Sequence, residues 1–232
     1  MTDAQPRQFS TDWFEGHVDN WQHWLGALAG RPGLRALEIG SFEGRSTVWM
    51  LEHILTAADS RIDCIDLFEP AEVYGDYPAR FLANTAPWRE RITMHAGRSF
   101  EMLRQVRGPY DVVYIDGWHS AFGALADGVM SWPLLKVGGV MIFDDYLWIP
   151  LKYGRIERPN KAVRELSNLV GRDWRRAAAE AAIAKVPTET PKLGVDGLLR
   201  TLAGHYELLG DGYQLAIRKT SDFGSTVLGI DT

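Results

Sequence analysis

One cysteine, Cys64, occurs in 232 residues. A lone thiol excludes an internal disulfide and fits a reducing compartment. Because it sits in the apolar run 62–67, it reads as a small buried hydrophobe and not as a nucleophile. Long apolar runs are absent, so no segment suits a membrane-spanning helix. The opening MTDAQPRQFS lacks the apolar core of a secretory leader. Nor is positive charge in excess. The chain has 25 Lys and Arg against 30 Asp and Glu, a net charge of −5, which removes any global pull towards nucleic acid or an anionic membrane. There is no internal repeat, and no low-complexity tract beyond AAAEAAIA. These absences lead us to expect a soluble, cytoplasmic chain with no nucleic-acid and no membrane partner.

What is present is ordinary globular mass, 46% hydrophobic and 24% charged, enough for one domain with a sizeable core and an elaborated cap. Nine tryptophans are many for this length. Trp13, Trp21, Trp24 and Trp49 fall early and read first as packing mass. Periodicity predicts a helix over 11–29, stopped by Gly30-Arg31-Pro32-Gly33. Strands follow at 34–39, 61–67, 91–95, 110–115 and 140–143. Helices alternate with them at 44–58, 76–86, 99–106, with Ser99 as a cap, and 119–136, ended by Gly138-Gly139. That alternation predicts a parallel sheet with helices on both faces. Runs at 205–209 and 213–219 flank Gly210-Asp211-Gly212, a hairpin signal. The predicted fold is therefore α/β and Rossmann-like, with a seven-stranded, mostly parallel sheet that closes in an antiparallel hairpin. Residues 1–232 read as a single domain. It comprises a helical segment 1–33, a core 34–146, a cap or interface insertion 147–190 with helices at 160–170 and 173–185, a last helix and hairpin in 191–220, and a tail 221–232. The insertion is too long for a structureless loop.

Two features on this frame carry chemistry. The turn Glu38-Ile39-Gly40-Ser41-Phe42-Glu43-Gly44-Arg45-Ser46 leads from the first strand into a helix. Gly40 lets a ligand approach the backbone, and Gly44 lets the helix start tight against the sheet. The spacing E-x-G-x-x-x-G-x-S is not the dinucleotide fingerprint G-x-G-x-x-G. The free N–H groups of the helix start still suit a carboxylate, and Glu38 points to the same turn. About 20 residues on, the second strand ends at Asp66, where an acid commonly accepts ribose hydroxyls. The combination points to a nucleoside ligand other than NAD.

With LEIGSFEGRS, CIDLFEP, HAGRS, YDVVYIDGWHS, LLKVGGVMIFDDY and the closing YELLGDGYQLAIRK, the chain resembles the class I S-adenosylmethionine-dependent methyltransferases. Within that class it is most similar to the small bacterial O-methyltransferases of the catechol and macrolide-sugar types. The resemblance covers 34–145 and 191–219 and implies S-adenosyl-L-methionine as cofactor. It implies Glu38, Gly40, Ser41 and Gly44 at the methionine end, with Ser46 close by. Asp66 would hold the ribose and Leu67 flank the adenine. Gly97, Arg98 and Ser99 would form the adenine edge, and Asp116 would lie beside sulfonium and acceptor.

The motif YIDGWHS then gains a purpose. Asp116 ends the fourth strand, beside the first, and Asp144-Asp145 end the fifth. Ligands gather outside the carboxyl ends of such strands. Three carboxylates in one crevice repel unless something positive joins them, and Mg²⁺, a hard oxygen-seeking cation, answers that need. Related metal-dependent enzymes place an acid at the counterpart of Asp116 and an acid followed by an acid or an amide at those of Asp144 and Asp145; some carry Asn where Asp145 stands. His119, spaced D-x-x-H as in the macrolide-sugar enzymes, is the expected general base. We expect an O-methyltransferase acting on a small hydroxylated molecule, of sugar or phenol type in secondary metabolism, with Asp116 and His119 catalytic. A metal-independent N- or O-methyltransferase and a non-catalytic S-adenosylmethionine-binding protein stay open, as does a homo-oligomer. Trp148, Tyr153 and Trp174 are candidate acceptor walls or packing of the insertion. A nucleic-acid methyltransferase is disfavoured by the charge and by the lack of an N/D-P-P-Y/F tetrapeptide. The remaining histidines, His17, His23, His53, His95 and His205, show no ligand spacing and read as structural.

Overall fold

Five short apolar strands, each followed by a helical segment, give the parallel part of the sheet. The strands are β1 (Arg35–Ile39), β2 (Arg61–Asp66), β3 (Ile92–Ala96), β4 (Tyr110–Ile115) and β5 (Leu135–Phe143). The computed structural model describes residues 7–150, 152 and 173–223. The helices are α1 (Val18–Leu25), α2 (Arg45–His53), α3 (Tyr77–Thr85), α4 (Ser99–Met102), α5 (Ala121–Ser131), α6 (Trp174–Ile183) and α7 (Lys192–Thr201). The hairpin β6 (Tyr206–Asp211) and β7 (Leu215–Lys219) returns antiparallel onto β5. The sheet order is β3-β2-β1-β4-β5-β7-β6, the seven-stranded arrangement expected from the sequence. Among the described residues no helix is long and apolar enough to cross a membrane.

Period-two alternation divides the core. Leu37, Ile39, Val113 and Ile115 face one layer with Ala124 of α5 and Val195 and Leu198 of α7. Ala36, Val112 and Tyr114 face the other, with Trp21, Trp24 and Leu25 of α1, Trp49 and Met50 of α2, and Phe81 of α3. Parallel strands covered on both sides must be apolar throughout, so the polar residues they keep call for an explanation. Three of the early tryptophans, Trp21, Trp24 and Trp49, are buried packing mass, whereas Trp13 is 61% exposed.

Several boundaries differ from expectation for local reasons. The N-terminal helix is broken into a 3₁₀ turn (Glu15–His17), α1 and a second 3₁₀ turn (Gly26–Leu28). Helix α2 stops at His53, where the Ile54 carbonyl turns to accept Gly30 N–H at 3.1 Å. Strand β5 starts at Leu135 and runs through Gly138-Gly139, which an irregularity in its register with β4 accommodates. Ser99 does not cap α4. Arg98 holds that position without a side-chain bond, and Ser99 is the first helical residue. The expected helix 160–170 and Tyr153 lie outside the described residues; the expected helix 173–185 is α6.

The sheet reverses its winding between β1 and β4, and such a switch point opens a crevice outside the strand ends. The tips are locked in register there. Gly40 N–H donates to Ile65 O, Asp116 N–H to Ile39 O, and Asp144 N–H to Ile115 O, at 2.8, 2.8 and 2.9 Å.

Candidate functional site

Among the described residues, three non-glycine residues have left-handed backbone, Phe42 (φ 45°), Phe68 (φ 49°) and Asp145 (φ 55°). They follow the ends of β1, β2 and β5. Each such residue costs about 1–3 kcal/mol and persists only where its surroundings hold it, so the backbone strain gathers around the crevice.

Among the described residues, two main cavities open at the switch point, beside a smaller one bordered by Asp116, His119 and Asp144. The first, about 400 Å³, is lined by Ile39, Gly40, Ile65, Asp66, Leu67, Gly97, Arg98, Ser99, Phe100, Asp116, Gly117 and Trp118. It joins Asp66, Leu67, Gly97, Arg98, Ser99 and Asp116, all singled out in the sequence. Asp66 is braced here. Its Oδ2 accepts Phe42 N–H at 2.8 Å, and its Oδ1 accepts Phe68 N–H at 3.1 Å and the Tyr77 hydroxyl at 2.8 Å. Burial, then the bond and charge of Asp66, push the Tyr77 phenol up to about 12. An ionised carboxylate has about four acceptor sites, so Asp66 keeps capacity for one more donor. Gly40 (φ 87°) forms part of the floor, and a Cβ there would lie 1.9 Å from the Asp116 carbonyl oxygen.

The second cavity lies over the glycine turn, with Gly40, Ser41, Phe42, Glu43, Arg45 and Ser46 below it. Tyr114, Asp116 and Asp144 form its side, and Phe9, Thr11, Trp13 and Phe14 of the N-terminal segment form its roof. Ser41 is buried, and its Oγ has no hydrogen-bond partner. Glu38 and Gly44 line neither cavity. The Glu38 carboxylate is fully buried beneath the turn, where it accepts the Ser46 hydroxyl at 2.5 Å and the Thr47 hydroxyl. Burial raises its pKa against those bonds. Gly44 adopts φ 80° as the N-cap of α2, with Phe81 and Thr85 of α3 packed where a side chain would be.

Asp116 borders both cavities and opens onto a third group. Its Oδ1 lies 3.2 Å from His119 Nε2, and that same nitrogen is 3.1 Å from Asp145 Oδ2. Ligand atoms of Asp116, His119 and Asp145 all fall within 4.8 Å of one another. Asp144 is drawn aside from this trio: its Oδ2 takes the Tyr114 hydroxyl, and its Oδ1 takes the Asp145 N–H at 2.7 Å. The Tyr114 hydroxyl also lies 3.2 Å from Asp116 Oδ2, yet one phenol proton cannot serve two carboxylates. Burial and then the Asp144 charge raise the Asp116 pKa well above the usual carboxylate range, against the His119 bond. Burial and Asp144 likewise raise Asp145. Burial would lower the His119 pKa, but the Asp116 bond and the charges of Asp145, Asp116 and Asp144 outweigh it and push it up to about 9. The cluster is thus short of positive charge, and an imidazolium partly supplies it.

Sequence reasoning missed several members. Tyr213 of the hairpin donates its hydroxyl to Asp145 Oδ1. His17, read as structural, stacks on the Tyr213 ring at 5.4 Å and 13°. Trp148, a candidate wall, lies with its ring 5.2 Å from that of His119. Trp174 opens α6 beneath the Arg175 guanidinium, away from these cavities. Tyr77, which bonds Asp66, and the buried Asp127 of α5 also escaped notice. The signal for Tyr114 lay inside YIDGWHS itself.

Residues 37–146 match a family model described as a methyltransferase domain. The O-methyltransferase hkm8 of Aspergillus hancockii is 32% identical over 123 residues, 53% of this chain and 46% of that protein. The chain therefore spans less than half the length of that curated relative. Among solved structures, the O-methyltransferase from Bacillus cereus in complex with SAH is 17% identical, with a TM-score of 0.53 over 91% of this chain and 84% of that one. The SAH-bound Podospora anserina methyltransferase PaMTH1 is also 17% identical, with a TM-score of 0.50 over 81% and 72%. At such identities the structural likeness speaks for the fold.

Proposed function

We propose that the chain, whose residues 37–146 match a methyltransferase domain, is an S-adenosylmethionine-dependent enzyme of the class I kind that transfers a methyl group to a hydroxyl of a small acceptor, of sugar or phenol type. The observation that carries the proposal is the position of Asp116. With Gly40 it lines both cavities, and it also touches His119.

The residues fit the cofactor. Asp66 retains an acceptor site for a ribose hydroxyl, the buried Ser41 hydroxyl lacks a partner, and the Gly40 floor admits no side chain. Ser46 would lie at the methionine end, and Leu67, Gly97, Arg98 and Ser99 at the adenine end. Bound S-adenosylmethionine would supply an electrophilic methyl on a sulfonium, whose positive charge suits an acidic crevice. Asp116 would orient both ligands, and alignment of oxygen, carbon and sulfur supplies much of such catalysis.

His119 would take the acceptor's proton at Nε2. With its pKa pushed up to about 9, the imidazole already holds a proton near neutrality, so a second positive charge is needed to free it. Asp116 and Asp145 offer oxygen ligands for Mg²⁺, with Asp144 behind them; the cation would offset their repulsion and acidify the acceptor hydroxyl. His119 is itself a partial counter-charge, and this favours one second reading, a metal-independent enzyme.

Calorimetric titration of the pure chain with S-adenosylhomocysteine tests the core of the proposal. Uptake is expected, weakened in Asp66→Asn, and absence of uptake by the folded chain rejects it. Methyl transfer to a panel of phenols and sugars, with Mg²⁺ or with chelator, then separates the two metal readings. Either requires that His119→Asn abolish turnover while S-adenosylhomocysteine still binds.

A further inference from the structure

Asp145 is the residue that most needs holding. It pairs with His119, yet it stands in left-handed backbone at φ 55°, a conformation that glycine and, less readily, asparagine and aspartate adopt. Its carboxylate serves two partners, with Oδ2 facing His119 Nε2 at 3.1 Å and Oδ1 accepting the Tyr213 hydroxyl. Tyr213 comes from the turn between β6 and β7, far away in sequence. It is tied at three points. Its hydroxyl is on Asp145, its carbonyl accepts Leu147 N–H at 3.3 Å, and its ring lies flat against His17 at 5.4 Å. The N-terminal turn, the segment after β5 and the hairpin tip thus converge on one carboxylate.

We infer that Tyr213 is a positioning residue for the base: by holding Asp145 Oδ1 it aims Oδ2 at the His119 imidazole, and so sets the direction in which that ring presents Nε2. The catalytic meaning of this rests on the methyltransferase reading above; the geometric claim does not. Tyr213 lines neither cavity assigned to the cofactor. Its loss should therefore leave cofactor affinity alone and act on the base, which separates it from a residue that merely braces the fold.

Tyr213→Phe keeps the ring and its stack on His17 but removes the hydroxyl. Tyr213 is 42% exposed, so the variant should fold, and a thermal melt checks this. Two measurements at one fixed pH decide the matter: calorimetry with S-adenosylhomocysteine, and the side-chain ¹H–¹⁵N NMR spectrum of His119. The expected result is unchanged affinity with a displaced His119 Nε2 resonance. An unmoved resonance in the folded variant overturns the inference, and so does a loss of affinity that accompanies a general loss of stability. If the wild-type chain takes up no S-adenosylhomocysteine, the methyltransferase reading falls, and the His119 spectrum still decides whether Tyr213 aims Asp145.

Discussion

Asp127 of α5 shows what one buried acid does to this domain. The residue is 1% exposed, and its Oδ2 has no hydrogen-bond partner. A Cβ on Gly117 would lie 2.9 Å from that oxygen, so the carboxyl packs directly under the first cavity, which Gly117 lines. Burial pushes its pKa from 3.8 up to about 6, against a smaller opposing effect of the Ser99 side chain. The folded state therefore binds the proton more tightly than the unfolded one between those values, and stability falls as pH rises through that window. Above it the ionised form costs at most about 3 kcal/mol. Asp127→Asn cannot ionise. Urea unfolding should show wild type losing ground to the variant from about pH 4 to 6, with a constant gap above; parallel curves would refute the assignment. The acids and the histidine of the site were readable in the sequence because Asp116, Asp144 and Asp145 stand at strand ends and His119 follows one of them closely. Asp127, Tyr77 and Tyr213 were not. They reach the crevice from a helix face, a helix start and a hairpin turn, and no spacing pattern connects such positions.

At the scale of elements, the crevice depends on how closely the ends of β1 and β4 approach. Gly40 N–H is bonded to Ile65 O, and Asp116 N–H to Ile39 O, so neither backbone is free to retreat from a side chain at Gly40. A Cβ there meets the Asp116 carbonyl at 1.9 Å in addition to the penalty of φ 87°. Gly138 has nearly the same backbone, φ 86°, but open space around it. Gly138→Ala should cost only the conformational term, about 1–2 kcal/mol. Gly40→Ala should cost that plus overpacking of about 1–3 kcal/mol. Denaturant midpoints of the two variants check the difference, and equal losses would mean that the strand tips can part. Element order and sheet direction followed from apolar periodicity, because parallel strands and amphipathic helices must bury opposite patterns. The ends were harder to see. Helix α2 stops because a carbonyl is captured by Gly30, 24 positions away in sequence from Ile54, and β5 passes through a glycine pair because its neighbour tolerates a register irregularity. Both are tertiary effects.

Taken whole, the molecule folds its own N-terminal segment over the glycine turn. Arg7 pairs with Glu52 at 2.5 Å, and Gln8 exchanges two 2.9 Å bonds with Asn84. Ser10 gives both its N–H and its hydroxyl to Glu43, at 2.6 and 2.7 Å. Arg45 holds Asp12 and Glu15 at 3.2 and 3.1 Å. Phe9, Thr11, Trp13 and Phe14 are thereby set as the roof of the second cavity. A ligand in the second cavity would lie against this segment, so the Ser10–Glu43 clip should govern release. Burial would raise the Glu43 pKa, but the two Ser10 bonds and Arg80 outweigh it and hold the carboxyl below 4.5. The sign follows. The clip's contribution is fully present above pH 4.5 and is lost as pH falls through the lower folded-state value. A hydrogen bond to a charged group is worth about 1.5–3 kcal/mol, so Ser10→Ala should speed S-adenosylhomocysteine release about tenfold or more at neutral pH. Wild-type release should quicken towards the variant's rate below pH 4.5. Stopped-flow displacement measures both; release indifferent to Ser10 would mean that the ligand departs through the adenine-side cavity, past Leu67 and Trp118, with the roof left closed.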